Sequence, residues 1–350
     1  MDIYVLNKTY EKIGIVDSCE SVIWTRRYCN AGDFELYLPI TSEALQILKI
    51  DNMLVRADKP NSLMIIKSIK ITTDEESGNY LTVTGESAES ILKKRIVWKQ
   101  TNLNGTVVAG VEKLLTENLI NPTDAARKIE NVEMGECCEC ATTLTKQITG
   151  DNLLKAVMEI LNTFKLGFKF DFIDDKLKFC IYSGVDRSSG QSDRPRVVFS
   201  ADFDNLLSSE YEADVSDYKN VALVAGEGEG AARRRYAVGD ASGIERNELY
   251  VDARDISSET DGGTLQDAEY NALLLAKGEE ALNETLTKQS FTGTIEPGVN
   301  YEFGVDYELG DVVQIENEYG ITAPARITEV IEAWDESGYS CVPTFYSEEV

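Results

Sequence analysis

The stretch "SLMIIKSIKITTDEESGNYLTVTGE" (62–86) constrains the fold more than any other part of the chain. Its two arms are β-branched and alternate in polarity, and "DEESGN" between them is a solvated turn. Apolar positions that recur every second residue suit a strand, whereas a helix repeats them every three or four. The stretch therefore predicts a long hairpin, and its neighbours extend the pattern. "DIYVLN", "KIGIVD", "ESVIWTRRY" and "DFELYLP" follow one another from residue 2, with turn signals at Asn7-Lys8, Asp17-Ser18 and Ala31-Gly32. A short helix is expected at "SEALQILK" (42–49), then a strand at "MLVRAD", and "SAESILKKR" (87–95) closes the unit with a second short helix. Several short strands at this spacing predict a small barrel or sandwich.

The centre of the chain changes period. Thr106 caps a helix with Val108, Val111, Leu115 and Leu119 at helical spacing, stopped by "NP" at 121–122. A second helix follows "TGD", with Leu153, Val157, Ile160, Leu161 and Phe164 on one face. "GFKFDFIDDKLKFCIY" (167–182) then reads as a hairpin about Asp174-Asp175, its phenylalanines more simply core than a base-stacking platform. The polar loop "SGVDRSSGQSDRPR" (183–196) separates this part from further strands at "RVVFS" and "VALVAG". A longer helix is expected over 264–288, with Thr264 and Asp267 resembling a capping box and Leu265, Ala268, Ala272, Leu275, Leu282 and Leu286 as its apolar stripe. Strands "QSFTGTIEP", "DVVQIENE", "ARITEVIEAWD" and "YSCVPTFY" end the sequence. Three units are expected, 1–98, 99–185 and 186–350.

Composition narrows the chemistry. The 350 residues contain no histidine, which removes a Ser-His-Asp triad, a Cys-His pair, a His-ligated zinc and any histidine base. Lys and Arg number 34 against 61 Asp and Glu, a net charge of −27. So acidic a surface disfavours binding to phosphate backbones; its plain meaning is solubility, and its sharper one a wall past which nucleic acid slides. No apolar run reaches the roughly 18 residues of a membrane span, and the N-terminus has no secretory pattern. Seven cysteines, an odd count, read as reduced thiols. Cys137, Cys138 and Cys140 form one crowded group with no second pair, so ordinary thiols are the plainer reading than a four-cysteine zinc site.

One motif invites a sharper reading. "VALVAGEGEGA" (221–231) matches G-x-G-x-x-A at Gly226, Gly228 and Ala231, and Arg233 to Arg235 come directly after. A dinucleotide turn needs a strand before it, an apolar helix after it and no negative charge inside. Glu227 and Glu229 stand in the loop, and "AARRRYAVGDASGIERNELYVDARD" (231–255) lacks helical apolar spacing. The turn is therefore expected to be a bend between strands, returning to "ELYVDA". No catalytic, cofactor-binding or metal-binding residue is assigned.

Four stretches carry a resemblance. They are "WTRRYCNAGDFELYLP" (24–39), "DYKNVALVAGEGEGAARR" (217–234), "RNELYVDARD" (246–255) and the long segment 291–339 with its "DYELGD" turn and "ARITEV" strand. In this order the chain resembles the tail-hub proteins of long-tailed bacterial viruses and prophages. These are similar to the N-terminal part of tail-associated lysins and to the baseplate hub of contractile tails. The resemblance implies an α+β, mainly β chain: two small tail-tube-like β-barrels with α/β insertions. It implies a homotrimer at the virion tail tip, assembled in the host cytoplasm. Neighbours would be the distal tail ring, the tape-measure protein and receptor-binding or fibre proteins, with genomic DNA passing through unbound. It implies no cofactor. Many relatives continue into a cell-wall-degrading domain, whereas this sequence stops at "PTFYSEEV", so hydrolysis is expected from another chain. Trp24, Trp98 and Trp334 are candidate subunit anchors, though a buried core is the commoner fate of a tryptophan. Two alternatives remain: a two-carboxylate cell-wall glycosidase, which needs no histidine, and a carbohydrate-binding or adhesion module.

Overall fold

A computed structural model describes residues 1–74, 78–260, 263–285, 288–296 and 299–347. The fold is mainly β. The first strands are β1 (Ile3–Leu6), β2 (Lys12–Val16), β3 (Ser21–Arg27), β4 (Asp33–Pro39), β5 (Met53–Arg56), β6 (Lys59–Asp74) and β7 (Gly78–Ser87). The predicted long hairpin is β6–β7, whose turn lies partly outside the described residues. Helix α1 (Ser42–Ile47) is capped by the Thr41 hydroxyl, which accepts from the Ala44 N–H at 3.0 Å. The closing helix at Ala88–Lys94 is a tight 3₁₀ coil.

The run "LMII" in β6 is apolar without a break because both faces of that strand are covered. Met64 and Ile66 point into one core with Ile3, Trp24, Phe34 and Leu81. Leu63 and Ile65 point the other way, into a second core supplied by the central segment. That segment comprises β8 (Thr101–Thr106), α2 (Val107–Leu115), β9 (Val132–Met134), β10 (Thr143–Ile148), α3 (Leu153–Thr163), β11 (Gly167–Ile173) and β12 (Lys176–Tyr182). Both helices start where the sequence places them. The Thr106 hydroxyl accepts from the Ala109 N–H, and Asn152 Oδ1 accepts from the N–H groups of Leu154 and Lys155. Helix α2 runs on as a wider π-type turn over Thr116–Ile120, keeping Leu119 buried. Asp174 and Asp175 both adopt positive φ, +54° and +57°, as a two-residue hairpin turn requires.

The last part contains β13 (Val198–Ser200), β14 (Leu206–Asp214), β15 (Val221–Ala225), β16 (Arg235–Val238), β17 (Glu248–Asp252), β18 (Glu259–Thr260), β19 (Gly263–Thr264), α4 (Asp267–Asn283), β20 (Lys288–Ile295), β21 (Val312–Glu316), β22 (Thr322–Asp335) and β23 (Gly338–Ser347). Helix α4 corrects two expectations. Its capping box is Gln266 with Glu269, not Thr264 with Asp267, because Thr264 is already paired with Glu259 in the β18–β19 hairpin. Its buried face is Tyr270, Leu273, Leu274 and Gly278, whereas Ala268 and Ala272 are exposed and Leu286 lies outside the described residues. The helix lies so close to its sheet that a Cβ on Gly278 would come within 2.5 Å of Val238 and 2.7 Å of Val224.

Pairing between β3 and β22 joins the two ends of the chain in one sheet, ordered β14-β20-β23-β22-β3-β4-β7-β6-β5-β1-β2, with β21 and β13 attached beside β22. Among the described residues this order does not close on itself. Bulges at Ile66/Ser68 and Ile327/Glu329 bend its longest strands.

Tyr28 pins three parts of the chain at one point. Its N–H donates to Thr328, its carbonyl accepts from Phe168 N–H, and its hydroxyl donates to the Lys165 carbonyl at 3.0 Å. Gly167 and Gly310 lie against its ring: a Cβ on either would approach a ring carbon to 2.3 Å. This explains the glycine of "DYELGD", which also sits at φ +94°. The adjoining Asp311 is buried and accepts from Val185 N–H and Arg187 Nε, both at 2.7 Å. Gly310→Ala is expected to destabilise the fold by roughly 3 kcal/mol, combining left-handed strain with overpacking. Gly320→Ala, at φ +75° in open space, should lose only about 1 kcal/mol. Urea denaturation of the two variants checks this, and equal losses would remove the Tyr28 contact from the account.

Candidate functional site

The glycine turn is a hairpin connection. β15 pairs antiparallel with β16 on one side and parallel with β17 on the other. Several groups that a phosphate would use are engaged by the protein itself. The Glu227 N–H donates to the Tyr270 hydroxyl at 2.8 Å, and the Glu227 carboxylate accepts from the Ser258 N–H and hydroxyl. Arg233 donates to the carbonyls of Ala225 and Gly226 and pairs with Asp252 at 2.6 Å, while Arg234 pairs with Asp267 at 2.7 Å. Gly226 is small for packing, since a Cβ there would approach the Tyr270 hydroxyl to 2.4 Å. Gly228 and Gly230 take positive φ, as the bend demands.

The densest charge constellation lies elsewhere, where β3, β5 and β22 meet. Arg56 ends β5 with 1% of its surface exposed, and Glu332 occupies an inward position of β22 with 2% exposed. Arg56 Nη1 donates to Glu332 Oε2 at 3.1 Å, and Arg56 Nε donates to Asp58 Oδ1 at 3.0 Å. Arg26 from β3 reaches the same Glu332 oxygen at 3.0 Å, and Lys59 stands 3.8 Å from it. Aromatic rings enclose the group: Arg56 lies over Trp334 at 4.4 Å and Trp24 at 5.7 Å, and Arg26 over Phe303 at 4.7 Å. Burial alone would raise the Glu332 carboxyl, but Arg26, Arg56 and Lys59 outweigh it and hold the group below its ordinary range. Burial is likewise overcome at Asp58, which Arg56 keeps low. The carboxylates are held by cations from neighbouring strands, so the cluster ties β3, β5 and β22 together.

Sequence reasoning missed this cluster. Its trace was present all the same: after the bulge, β22 buries Val330 and Glu332 on one face, so a carboxylate occupies a core position of the alternation. The three tryptophans divide. Trp24 is core, Trp334 is half-buried beside Arg56, and Trp98 is 63% exposed with Arg127 5.0 Å over its ring. All seven cysteines are free thiols. Cys137 packs beside β12, its sulfur accepting from the Ile181 N–H at 3.3 Å, and burial pushes Cys137 and Cys138 up and Cys29 up to about 12. Among the described residues no three Cys, Asp or Glu are grouped to hold a metal ion.

Comparison places this architecture among known proteins. A sequence-family profile described as "Siphovirus ReqiPepy6 Gp37-like protein" matches residues 2–345. No curated protein matches the chain. Among solved structures, the chain is similar to a tail protein from Neisseria meningitidis MC58, with a TM-score of 0.60 at 13% identity, covering 99% of this chain and 96% of that one. It is similar to the 43 kDa tail protein of prophage MuSo2 from Shewanella oneidensis, with a TM-score of 0.59 at 12% identity, covering 99% and 98%. It is also similar to the prophage tail protein gp18 from Listeria monocytogenes EGD-e, with a TM-score of 0.58 at 11% identity, covering 99% and 95%.

Identity this low carries the fold alone, so the junction is tested on this chain itself. Glu332→Gln leaves Arg56 buried with less compensation and is expected to destabilise by about 3 kcal/mol at pH 7. The folded carboxyl titrates below its ordinary 4.5. Its contribution is therefore complete above that value and is lost as pH falls through the folded one. The gap between wild type and Glu332→Gln should narrow below about pH 4; denaturant titrations at several pH values check this, and a gap independent of pH counts against the assignment.

Proposed function

The chain belongs to the Siphovirus ReqiPepy6 Gp37-like protein family, a family of tail proteins, and on that premise we propose that it is the non-catalytic hub of a tail tip. The virion tail is its place. In this reading it joins the end of the tail tube, through a distal ring, to the host-binding apparatus, with the tape-measure protein above it and receptor-binding or fibre proteins around it. Residues 1–98 and 186–350 each act as a tail-tube-like β-barrel unit, and residues 99–185 form the α/β insertion between them. Three copies set six such units round a passage for DNA.

The observation that carries this reading is the fold match to tail proteins over 99% of the chain. The sheet supports it, since β-rich ends of the sequence lie side by side through β3 and β22, as paired units of one ring would. The charge balance of −27 supports a passage wall that does not retain phosphates. Carboxylates are accordingly expected to outnumber Lys and Arg on that wall.

Electron microscopy of the purified chain tests the proposal. Expected is a threefold ring with a central opening and six β-rich units around it. A particle that stays monomeric at micromolar concentration, or a ring with a basic lumen, overturns it.

A further inference from the structure

With 61 carboxylates and 34 cations, nearly every cation in this chain could find an acidic partner. Residues 93–99, "KKRIVWK", hold four cations and no carboxylate, and of the four Lys93 alone pairs with an acidic side chain, Glu86, among the described residues. Arg95 donates to the carbonyls of Arg127 and Lys94 at 2.7 and 2.9 Å, and Arg127 donates to the Ile96 carbonyl at 2.8 Å. Neither guanidinium forms an ion pair with a carboxylate among the described residues, and the same holds for the exposed Lys94 and Lys99. Burial and the neighbouring Arg127 charge hold Arg95 below the usual arginine range. Between these charges lie the exposed faces of Trp98 and Ile96, at 63% and 41%. The patch is thus basic and aromatic, and Lys94, Arg95, Lys99 and Arg127 carry no carboxylate partner among the described residues.

The longest run of the opposite kind lies near the end of the sequence. Residues 289–325 contain seven carboxylates and no Lys or Arg. Within them the turn after β21 presents Tyr319, 81% exposed, beside Ile321, Glu316 and Glu318. The turn is held in shape from within, since Asn317 Oδ1 accepts from the N–H groups of Tyr319 and Ile321, each at 3.0 Å. A rigid aromatic knob with two carboxylates is therefore offered to solvent. No hydrogen bond or ion pair among the described residues joins it to residues 93–99 of the same chain.

We propose that the Tyr319 knob of one copy docks on the Trp98–Arg127 patch of the next, with Glu316 and Glu318 facing Lys94 and Lys99. This takes the assembly of copies from the reading above and names the surface that makes it. The two faces match in sign and in apolar content, and Trp, Tyr and Arg are the residue types that dominate binding at interface centres. Because the two surfaces differ, the contact is head-to-tail, the kind that closes rings. It also offsets the repulsion between chains that each carry −27.

Sedimentation of the full chain tests the contact. Lys94→Glu with Lys99→Glu, and separately Glu316→Lys with Glu318→Lys, should each weaken association by about 30-fold or more, with unchanged melting. Combining all four substitutions restores opposite signs and should recover assembly. Trp98→Ala and Tyr319→Ala, both at exposed positions, should weaken association in the same way. Raising salt from about 0.05 to about 0.5 M should weaken the wild-type assembly. Double variants that assemble like wild type overturn this surface and leave the ring standing, whereas a wild-type chain that never associates overturns the ring as well. Retention of a single-stranded oligo-dT by wild type, lost in the Lys94→Glu/Lys99→Glu variant while sedimentation is unaltered, also overturns the proposal in favour of nucleic acid.

Discussion

The contact between Arg56 and Glu332 governs how the molecule is put together. Both groups are withdrawn from water, and the desolvation of two charges at such a site costs several kcal/mol each before any attraction is counted. Attraction from Arg26 and Lys59, bonds to Asp58 and the aromatic walls of Trp24, Trp334 and Phe303 offset that loss. An apolar cluster of the same volume would hold the strands as well or better. What the charges add is position. Glu332 stands opposite Trp24 in the β3–β22 ladder, and a shift of one residue would turn its carboxylate to the other face and leave Arg56 without it. The ion pair therefore sets the register in which the two ends of the chain meet.

Tyr28 does comparable work with neutral groups. One ring touches Gly167 from the central hairpin and Gly310 from the last segment, and one hydroxyl reaches the Lys165 carbonyl. Shape and hydrogen bonding fix the middle of the chain against its ends there, while charge fixes the ends against each other. Both devices involve residues of "WTRRYCNAGDFELYLP" or "DYELGD". The stretches that carried the family resemblance are thus where distant parts of the sequence touch.

Local periodicity made much of the architecture legible. The β6–β7 hairpin, the caps of α2 and α3 and the Asp174-Asp175 turn arise from residues close together in sequence. The two glutamates inside the glycine turn likewise pointed away from a phosphate site. Helix α4 was harder, because "NALLLAK" places apolar residues on several adjacent faces and its start depends on the β18–β19 hairpin taking Thr264. The register between β3 and β22 was not legible, since nothing local in "ESVIWTRRY" names a partner some 300 residues away. The Tyr319 and Trp98 surfaces could be found as charge blocks, but their exposure needed the fold.

The same distance in sequence has a temporal side. Ribosomes add roughly 5–20 residues per second. About 15–60 seconds therefore separate the emergence of β3 from that of its partner β22. Through that interval the nascent chain presents an uncovered strand edge with Trp24 beside it, the kind of edge that recruits foreign strands. Arg26, awaiting Glu332, places a positive charge on β3 meanwhile, whereas Arg27 has Asp33 as a nearby partner before Glu329 emerges. A charged side chain on an open edge disfavours such pairing until β22 arrives.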